Sequence, residues 1–244
     1  MEETTTIFGI RTVIEAIESG KSIDKIYIQK GLSGPLFSEL KEVLQKTSFN
    51  ISYVPSEKLY KLSKGNHQGV VAKIAPINFA NLEETIEKTI NTIENPLFLL
   101  LDQVNDVRNF GAIIRTAECC GVNAIIIPEK GGAPINADTV KTSAGAVFNI
   151  PICKVNHIRD AIFYLQSSGV EVTAATEKTE QTIYDIQFNK PCAIVMGNEG
   201  KGVSPSILKT VNQKAKLPMQ GTIASLNVSV ACGAFLYEVV RQRL

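Results

Sequence analysis

Four short and almost purely apolar runs dominate the chain after residue 96: Leu97–Leu101, Ala124–Ile127, Glu171–Ala174 and Ala193–Met196. Turn-forming residues follow each run. A strand with one face in water alternates polar and apolar residues, whereas a continuous apolar run needs cover on both faces. Helical stretches separate the runs, and this alternation is typical of a parallel sheet between helices. We therefore predict an α/β domain built on a mostly parallel sheet.

The first part of the chain alternates shorter patterns. Ile10, Val13, Ile14 and Ile17 have the spacing of one helix face. Further elements are predicted at Lys25–Ile28 (strand), Leu36–Leu44 (helix), Ile51–Val54 (strand), Glu57–Leu62 (helix) and Val70–Ala72 (strand). Pro76 and the polar stretch 81–95, which is also consistent with a weakly apolar helix, indicate a boundary. The predicted organisation is a small α/β domain at 1–75, a linker at 76–95 and the larger domain at 96–244.

Composition restricts the class of protein. The 244 residues are 44% hydrophobic and 20% charged, which excludes disordered and fibrous proteins. No apolar run approaches the roughly 18 residues of a membrane span, and the acidic start of the chain is unlike a secretion signal. The cysteines lack CxxC spacing, which predicts small buried side chains in a reducing cytoplasm, with no metal site; they are Cys119, Cys120, Cys153, Cys192 and Cys232. A net charge of +1 neither favours nor excludes a nucleic-acid partner.

Asn109 and Arg115 lie in the segment that follows the first apolar run. Ligands of open α/β sheets bind at the carboxyl ends of the strands. Asn109 is equally consistent with a helix cap. Arg115 follows Ile113 and Ile114, which predicts a half-buried guanidinium that needs an anion, and a phosphate fits its planar fork. The alternative is an ordinary surface cation.

A glycine-rich loop follows the last apolar run, with glycines at 197, 200 and 202 around Glu199. The spacing is GxxGxG rather than GxGxxG, which disfavours a dinucleotide-binding oxidoreductase. Glycines allow close backbone approach to a ligand, and Glu199 adds a carboxylate there. Ser204 and Pro205 predict the start of a helix.

Ser225, Asn227 and Ser229 crowd the start of the C-terminal helix, whose apolar positions have helical spacing. Asparagine is a poor helix former, and Ser or Asn at a helix start usually acts as a cap. One cap, predicted at Ser225, does not explain three polar residues. We therefore predict a ligand site at this helix start.

The sequence His67-Gln68-Gly69 closes the small domain before its last strand. A lone histidine is more often structural than functional. The neighbouring Lys64 and Asn66 leave contact with RNA open as the alternative.

Three segments together, 109–117, 196–202 and 217–231, resemble in order and position the three signature motifs of the SpoU (TrmH) branch of the SPOUT RNA methyltransferases. The resemblance spans nearly the whole chain and is strongest to the bacterial 23S rRNA guanosine 2′-O-methyltransferases. It implies a C-terminal trefoil knot, a homodimer, S-adenosylmethionine as methyl donor and an RNA-binding N-terminal domain. Transfer RNA or another ribosomal nucleotide is the alternative substrate, and an RNA-binding protein without activity is a further alternative.

The same resemblance implies roles for individual residues. Polar positions associated with catalysis or its support are Asn109, Arg115, Glu199, Ser225 and Asn227. Positions that line the donor pocket are Gly197, Asn198, Leu217, Met219 and Leu226. Candidate RNA contacts are Arg11, His67 and Gln68.

Overall fold

The structure is a computed structural model that describes residues 6–18, 20–45, 49–74, 77–222 and 225–244. The polar start of the chain, Pro76 and residues 223–224 of the C-terminal motif lie outside this part. The chain forms two compact units. The first comprises residues up to 78 with residues 134–137, and the second comprises 79–133 and 138–244.

The first unit is a mixed sheet with helices on both faces. Its elements are β1 (Thr6–Phe8), α1 (Ile10–Glu18), β2 (Ile23–Gln29), α2 (Pro35–Gln45), β3 (Ile51–Val54), α3 (Ser56–Leu62) and β4 (Val70–Ile74). The strand order is β1-β4-β2-β3, with β2 and β3 parallel and β4 antiparallel to both of its neighbours. The predicted helices and strands are confirmed, and β1 is an additional strand that the sequence pattern did not predict.

Alternation along β4 determines which helix covers which face of this sheet. Val70 and Ala72 pack in the core under α1 and α2. Val71, between them, packs instead with Leu59 of α3 and with Val54. The two sides of the sheet therefore have separate apolar contacts, and the α3 side has the smaller set.

The second unit is a parallel sheet covered by helices. Its elements are α4 (Leu82–Thr92), β5 (Leu97–Leu101), α5 (Val107–Cys119), β6 (Ala124–Pro128), α6 (Ala137–Thr142), β7 (Ile152–Val155), α7 (Ile158–Ser167), β8 (Glu171–Ala175), β9 (Cys192–Met196), α8 (Pro205–Leu208), β10 (Gln213–Ala215) and α9 (Val228–Arg243), with short 3-10 turns at Ala146–Phe148 and Ile183–Asp185. The strand order is β10-β8-β9-β5-β6-β7, and every pair is parallel.

The predicted parallel sheet is confirmed. The four apolar runs are β5, β6, β8 and β9, and residues such as Leu99, Ile125, Val172 and Ile194 are fully buried. The sequence pattern missed β7 and β10, which are the two edge strands. Edge strands have fewer neighbours to cover them, so they tolerate the polar residues that hide them from a search for apolar runs.

The segment predicted as a linker, 76–95, contains the helix α4, in a stretch whose polar pattern also allowed a helix. Asn81 caps this helix, and its side-chain oxygen accepts a hydrogen bond from the Glu84 N–H at 3.0 Å. Ile86 is fully buried in the core of the second unit, with Leu82 and Ile90 packed against the same core. An apolar residue at every fourth position is enough to attach a helix that is otherwise polar.

The end of α9 is anchored by polar contacts. The Arg243 guanidinium donates hydrogen bonds to the carbonyl oxygens of Phe188, Asn95 and Lys190 at 3.0, 2.7 and 2.9 Å. One turn earlier, the buried Glu238 carboxylate accepts two hydrogen bonds from Arg241, at 2.8 and 2.7 Å. The Arg243 hydrogen bonds attach the last turn of the chain to loops of the second unit, whereas the Glu238–Arg241 pair lies within α9.

Four of the five cysteines are buried, as predicted, whereas Cys119 is exposed. Cys119 lies at the end of α5, on the side of the helix away from Ala117, which is buried. Burial raises the pKa of the Cys120 and Cys192 thiols to about 11, so both remain protonated at neutral pH. No helix in the described ranges is long and apolar enough to cross a membrane.

Replacement of Glu238 by glutamine is expected to make stability less dependent on pH. The hydrogen bond from Arg241 is the main cause that holds the pKa of Glu238 below its usual range. The ionised form therefore stabilises the fold above the unfolded pKa, and this contribution disappears as the pH falls through the folded pKa. We expect Glu238→Gln to cost about 1 kcal/mol at about pH 7 and much less below about pH 4, measured by urea unfolding.

The matched control is Glu177→Gln, which changes an exposed glutamate. It should leave the unfolding curves almost unchanged at either pH. A loss for Glu238→Gln that is equally large at both pH values would show that shape, not charge, is what matters at this position.

Candidate functional site

The site forms where two adjacent parallel strands end. β5 and β9 pair in register up to Leu101 and Met196. The loop after β5 leads into α5, which contains Asn109, and the loop after β9 contains Glu199. The carboxyl edge of the sheet thus places residues 90 positions apart next to each other, as expected for ligand sites in open α/β sheets.

Three of the predicted polar residues form one hydrogen-bonded cluster. Asn109 Nδ2 donates to Glu199 Oε1 at 2.5 Å. Asn227 Nδ2 donates to the same Glu199 oxygen at 2.9 Å and also lies 3.1 Å from Asn109 Oδ1. Each residue comes from a different motif, so the structure brings together what the sequence placed in three separate loops.

Two caps differ from the sequence prediction. Asn227, not Ser225, caps α9, and its Oδ1 accepts from the backbone N–H and the hydroxyl of Ser229 at 2.9 and 2.6 Å. Asp106, not Asn109, caps α5. The helix α9 starts later in the chain than a cap at Ser225 would imply, and α5 starts earlier than a cap at Asn109 would imply. Asn109 is therefore free to use its side chain in the cluster, and Ser225 lies before the helix, exposed to solvent.

A cavity of about 670 Å³ lies beside the cluster. All five predicted donor-pocket residues line it, together with Glu199 and Ser225; the five are Gly197, Asn198, Leu217, Met219 and Leu226. Its wall combines apolar side chains, including Val228 and Phe235, with the backbone of the glycine-rich loop. A partly apolar cavity with a few convergent polar groups is typical of a small-molecule site.

The glycine-rich loop turns back on itself at the cavity wall. The backbone of Asn198 pairs with Gly202 through two hydrogen bonds of 3.1 and 2.8 Å. An added Cβ on Gly197 would overlap the backbone of Gly202 and Val203. Glycine is thus required at 197 by close approach of the chain to itself, in addition to any approach to a ligand.

The Asn198 side chain holds this loop in place. Its Oδ1 accepts from the Gly200 N–H at 2.9 Å, and its Nδ2 donates to the Gln103 carbonyl oxygen at 3.0 Å. Gln103 has a φ of 61°, a left-handed conformation that is uncommon outside glycine. Asn198 therefore contributes to the cavity as part of its framework, since both ends of its amide are engaged by the protein.

Asp102 supports the same loop and was not predicted as a site residue. Its buried carboxylate, at the end of β5, accepts hydrogen bonds from the Ser204 backbone N–H at 2.7 Å and from the Ser204 hydroxyl. Ser204 begins α8, as predicted. An acidic residue directly after a buried strand was the available signal, but its partner 102 positions later is evident only from the fold.

Arg115 lies away from this cluster. It is exposed, it makes no hydrogen bond or ion pair within the described ranges, and it does not line the cavity. The prediction of a half-buried guanidinium is therefore wrong for the single chain. The buried face of α5 is formed by Phe110, Ile113, Ile114 and Ala117, and a turn of about 100° per residue directs Arg115 away from that face. Six residues also separate Arg115 from Asn109 by about 9 Å along the helix axis.

The predicted RNA contacts in the first unit have structural roles in two of three cases. His67 is buried, and its Nδ1 accepts from the Gly69 N–H at 3.0 Å. Gln68 Oε1 accepts from the Ile10 N–H, at 3.2 Å, at the start of α1. The structural interpretation of the histidine is thus favoured. Arg11 is exposed on α1.

Comparison with known proteins places the chain in a family. Residues 96–237, which include the whole cluster and cavity wall, match the SpoU rRNA Methylase family. The chain is a member of the SpoU rRNA methylase family. Residues 6–80 of the chain also match a domain described as "RNA 2'-O ribose methyltransferase substrate binding". The family resemblance seen in the three motifs is thereby confirmed.

Individual relatives agree with this family. YacO of Bacillus subtilis strain 168, provisionally named a TrmH family tRNA/rRNA methyltransferase, is 32% identical over 97% of this chain and 95% of its own length. The AdoMet-bound rRNA methyltransferase from Sinorhizobium meliloti superposes with a TM-score of 0.63 at 27% identity, covering 99% of this chain and 88% of that one. AviRb from Streptomyces viridochromogenes, at 24% identity and a TM-score of 0.62, covers 99% of this chain and 91% of its own and shows likeness of fold.

Alanine at position 197 is expected to disrupt the loop that forms the cavity wall. The added Cβ would meet backbone on both sides, which cannot move as a flexible side chain would. We expect Gly197→Ala to lower the free energy of unfolding by about 1–3 kcal/mol, measured by thermal and urea unfolding.

Gly200→Ala is the matched control, because a Cβ there meets only the Asn198 Oδ1, at 3.6 Å. Its unfolding free energy should stay within about 0.5 kcal/mol of wild type. Equal effects of the two substitutions would mean that the loop is not tightly packed against itself.

Proposed function

We propose that this SpoU family member transfers a methyl group from S-adenosylmethionine to the 2′-hydroxyl of an RNA ribose. The observation that carries the proposal is the cluster of Asn109, Glu199 and Asn227 beside the cavity. The family match and the AdoMet-bound relative from Sinorhizobium meliloti support it. Transfer between two bound substrates gains much of its rate from positioning, which a rigid polar cluster next to a cavity can provide.

The residues of the cavity suit the proposed donor. Its volume of about 670 Å³ lies within the range of about 300–1,000 Å³ found for small-molecule sites. Leu217, Met219 and Leu226 offer apolar surface for an adenine ring, and the tightly packed backbone at Gly197 offers N–H and C=O groups close to the ligand. When bound there, S-adenosylmethionine supplies an electrophilic methyl group.

The cluster orients the acceptor side of the reaction. Both amide donors approach Glu199 Oε1, while Glu199 Oε2 has no partner within the described ranges. That second oxygen can accept a hydrogen bond from a substrate hydroxyl. Asn109 and Asn227 then keep the carboxylate in one orientation, and Ser225, exposed at the cavity edge, offers a further hydroxyl to the substrate.

Arg115 is assigned to the RNA phosphate. A guanidinium stays protonated in proteins, so it is a poor general base. Its planar donors match two phosphate oxygens. The exposed position of Arg115 agrees with a partner that comes from outside the chain.

We further propose a homodimer that forms through α9. The outer side of this helix is apolar or small, with Val230 and Tyr237 more than half exposed and the exposed Ala234 between them. A helix without a polar face is normally covered. α9 packs beside α5, and Gly233 faces Thr116, the neighbour of Arg115. A second copy on this face would therefore lie next to Arg115.

We also propose that the second unit contains a trefoil knot. The chain leaves the sheet at the edge strand β10 and returns as α9, which packs on α5 and on the central strand β9. On the way it passes the loop at 197–202, and both line the same cavity. Knots are rare exceptions to the usual connection rules. Here the return of the last segment to the centre of the sheet supports one.

We propose 23S rRNA as the substrate, with a guanosine as the methylated nucleotide. This activity can be tested in a strain from which the gene is deleted. Wild type should restore one 2′-O-methyl mark, and Arg115→Ala should fail to restore it because the phosphate is no longer held. With purified protein we expect methyl transfer at least about a hundredfold slower, and donor affinity, measured by calorimetry, almost unchanged.

The charge-matched control is Arg159→Ala, an exposed arginine on α7. It should restore the mark like wild type. Loss of donor binding with residual methylation in Arg115→Ala would refute the role given to Arg115. Loss of a tRNA mark in the deletion strain, with all 23S marks intact, would change the substrate class, and a strain with no lost mark would favour an RNA-binding protein without activity.

The dimer proposal predicts that a charge on the outer side of α9 separates the subunits. Ala234→Glu should sediment as a monomer at micromolar concentration, because a carboxylate would be buried without a partner. Ser206→Glu, at an exposed position of α8, is the control and should remain a dimer. A monomeric wild-type protein would contradict the proposal.

A further inference from the structure

One face of the first unit has an unusual combination of charge and exposed rings. We define the α3 face as α3 itself, the turn at 63–66 and the side of β1, β4 and β2 that α3 packs on. The strand register assigns the side chains to this side. Tyr27 and Phe8 are both paired with Val71, which contacts α3, and Lys25 is paired with Lys73 two positions further along.

Positive charge is concentrated on the α3 face. It contains five lysines and a single glutamate, Glu57; the lysines are Lys25, Lys58, Lys61, Lys64 and Lys73. The whole chain has a net charge of only +1. On the opposite side of the sheet, α1 and α2 contain four glutamates against Arg11 and Lys41; these are Glu15, Glu18, Glu39 and Glu42. The basic field is therefore local to one side of the sheet.

Aromatic rings lie among these lysines. Tyr60 is 64% exposed and Phe8 is 40% exposed. The Lys25 and Lys58 ammonium groups lie 5.3 and 5.9 Å from the centre of the Tyr27 ring, within cation–π range. Large exposed rings within a basic surface are not explained by packing of the first unit alone.

The rings are held in place from beneath. The His67 ring meets the Tyr60 ring edge-on, with 4.5 Å between centroids. His67 is itself buried and fixed by the Gly69 N–H. Phe8 lies so close to Gly65 that a Cβ there would overlap its ring. The buried His67 thus supports the Tyr60 ring, which projects outward from the surface.

We propose that the α3 face is the surface of the first unit that contacts RNA, with its lysines on phosphates and Tyr60 and Phe8 stacked on unpaired bases. The proposal rests on the proposed function, in which the substrate is RNA, and specifies which residues of the first unit recognise it. Clustered lysines supply the salt-dependent part of nucleic-acid affinity. Exposed rings that stack on splayed bases are typical of recognition of single-stranded loops.

The first experiment measures RNA affinity of the full chain by fluorescence anisotropy. The probes are a labelled RNA hairpin with a loop of unpaired uridines and a fully paired RNA of equal length. In the triple variant Lys58→Gln, Lys61→Gln, Lys64→Gln, three phosphate contacts are lost. The slope of log affinity against log salt should therefore decrease in magnitude by about 2 for the hairpin.

The matched control removes three exposed cations of the first unit that lie outside the α3 face, as Lys21→Gln, Lys30→Gln and Lys41→Gln. This control should keep the wild-type slope and affinity. An equal decrease in both triple variants would overturn the proposal, since the effect would then be one of net charge.

The second experiment tests stacking. Tyr60→Ala should weaken binding of the hairpin by about fivefold to a hundredfold and remove the preference for the hairpin over the paired RNA. Tyr60→Phe keeps the ring and should behave like wild type. The Tyr60 side chain is exposed, and thermal unfolding shows whether each of the two variants is folded. Unchanged hairpin binding by Tyr60→Ala would overturn the stacking assignment.

The two proposals can fail separately. RNA binding is measured without methyl transfer, and calorimetry with S-adenosylmethionine reports the cavity of the second unit. Wild-type protein that binds the hairpin through the α3 face but methylates no RNA would refute the proposed function alone. Methylation and hairpin affinity that both survive loss of the three α3 lysines would refute the α3 face alone. An acidic protein as the true partner would leave the hairpin and paired RNA equally and weakly bound.

Discussion

The Glu199 carboxylate is the contact on which the site depends. One of its oxygens accepts hydrogen bonds from Asn109 on α5 and from Asn227 at the start of α9. Without it, the two amide side chains would have no common acceptor and would keep only the 3.1 Å contact with each other. A charged acceptor makes these hydrogen bonds stronger than amide–amide contacts would be. The same carboxylate is thus a structural joint and a candidate for contact with substrate.

Around this joint, each loop is fixed by a different device. Asp102 holds the start of α8, Asn198 connects the glycine-rich loop to Gln103, and Asn227 caps α9. These polar groups lie where the apolar central strands β5 and β9 end and the sheet no longer satisfies the backbone by itself. The framework of the cavity therefore consists of short polar contacts on a rigid apolar base. Rigid support of this kind is what positioning of two substrates requires.

The two units differ in how completely helices cover their sheets. In the second unit both faces of the sheet are buried, and the candidate site lies at one edge. In the first unit only α3 covers one face of the sheet, through a cluster centred on Leu59. The residual surface is basic and aromatic, a composition suited to phosphates and bases. Incomplete cover of a sheet can thus leave room for a broad polymer, whereas a cavity suits a small molecule.

The sequence by itself determined most of the elements and the residues that form the candidate site. Continuous apolar runs specify buried parallel strands locally, and the three motifs by themselves indicate Asn109, Glu199, Asn227 and the cavity residues. Tertiary structure alone decided how those residues are used. Ser204, the partner of Asp102, lies 102 positions away, and the helix caps are Asp106 and Asn227. Arg115 projects into solvent because the helical turn per residue directs it away from the buried face of α5. The polar edge strands and the α3 face were not predicted, because a linear pattern does not show which elements lie next to each other in space.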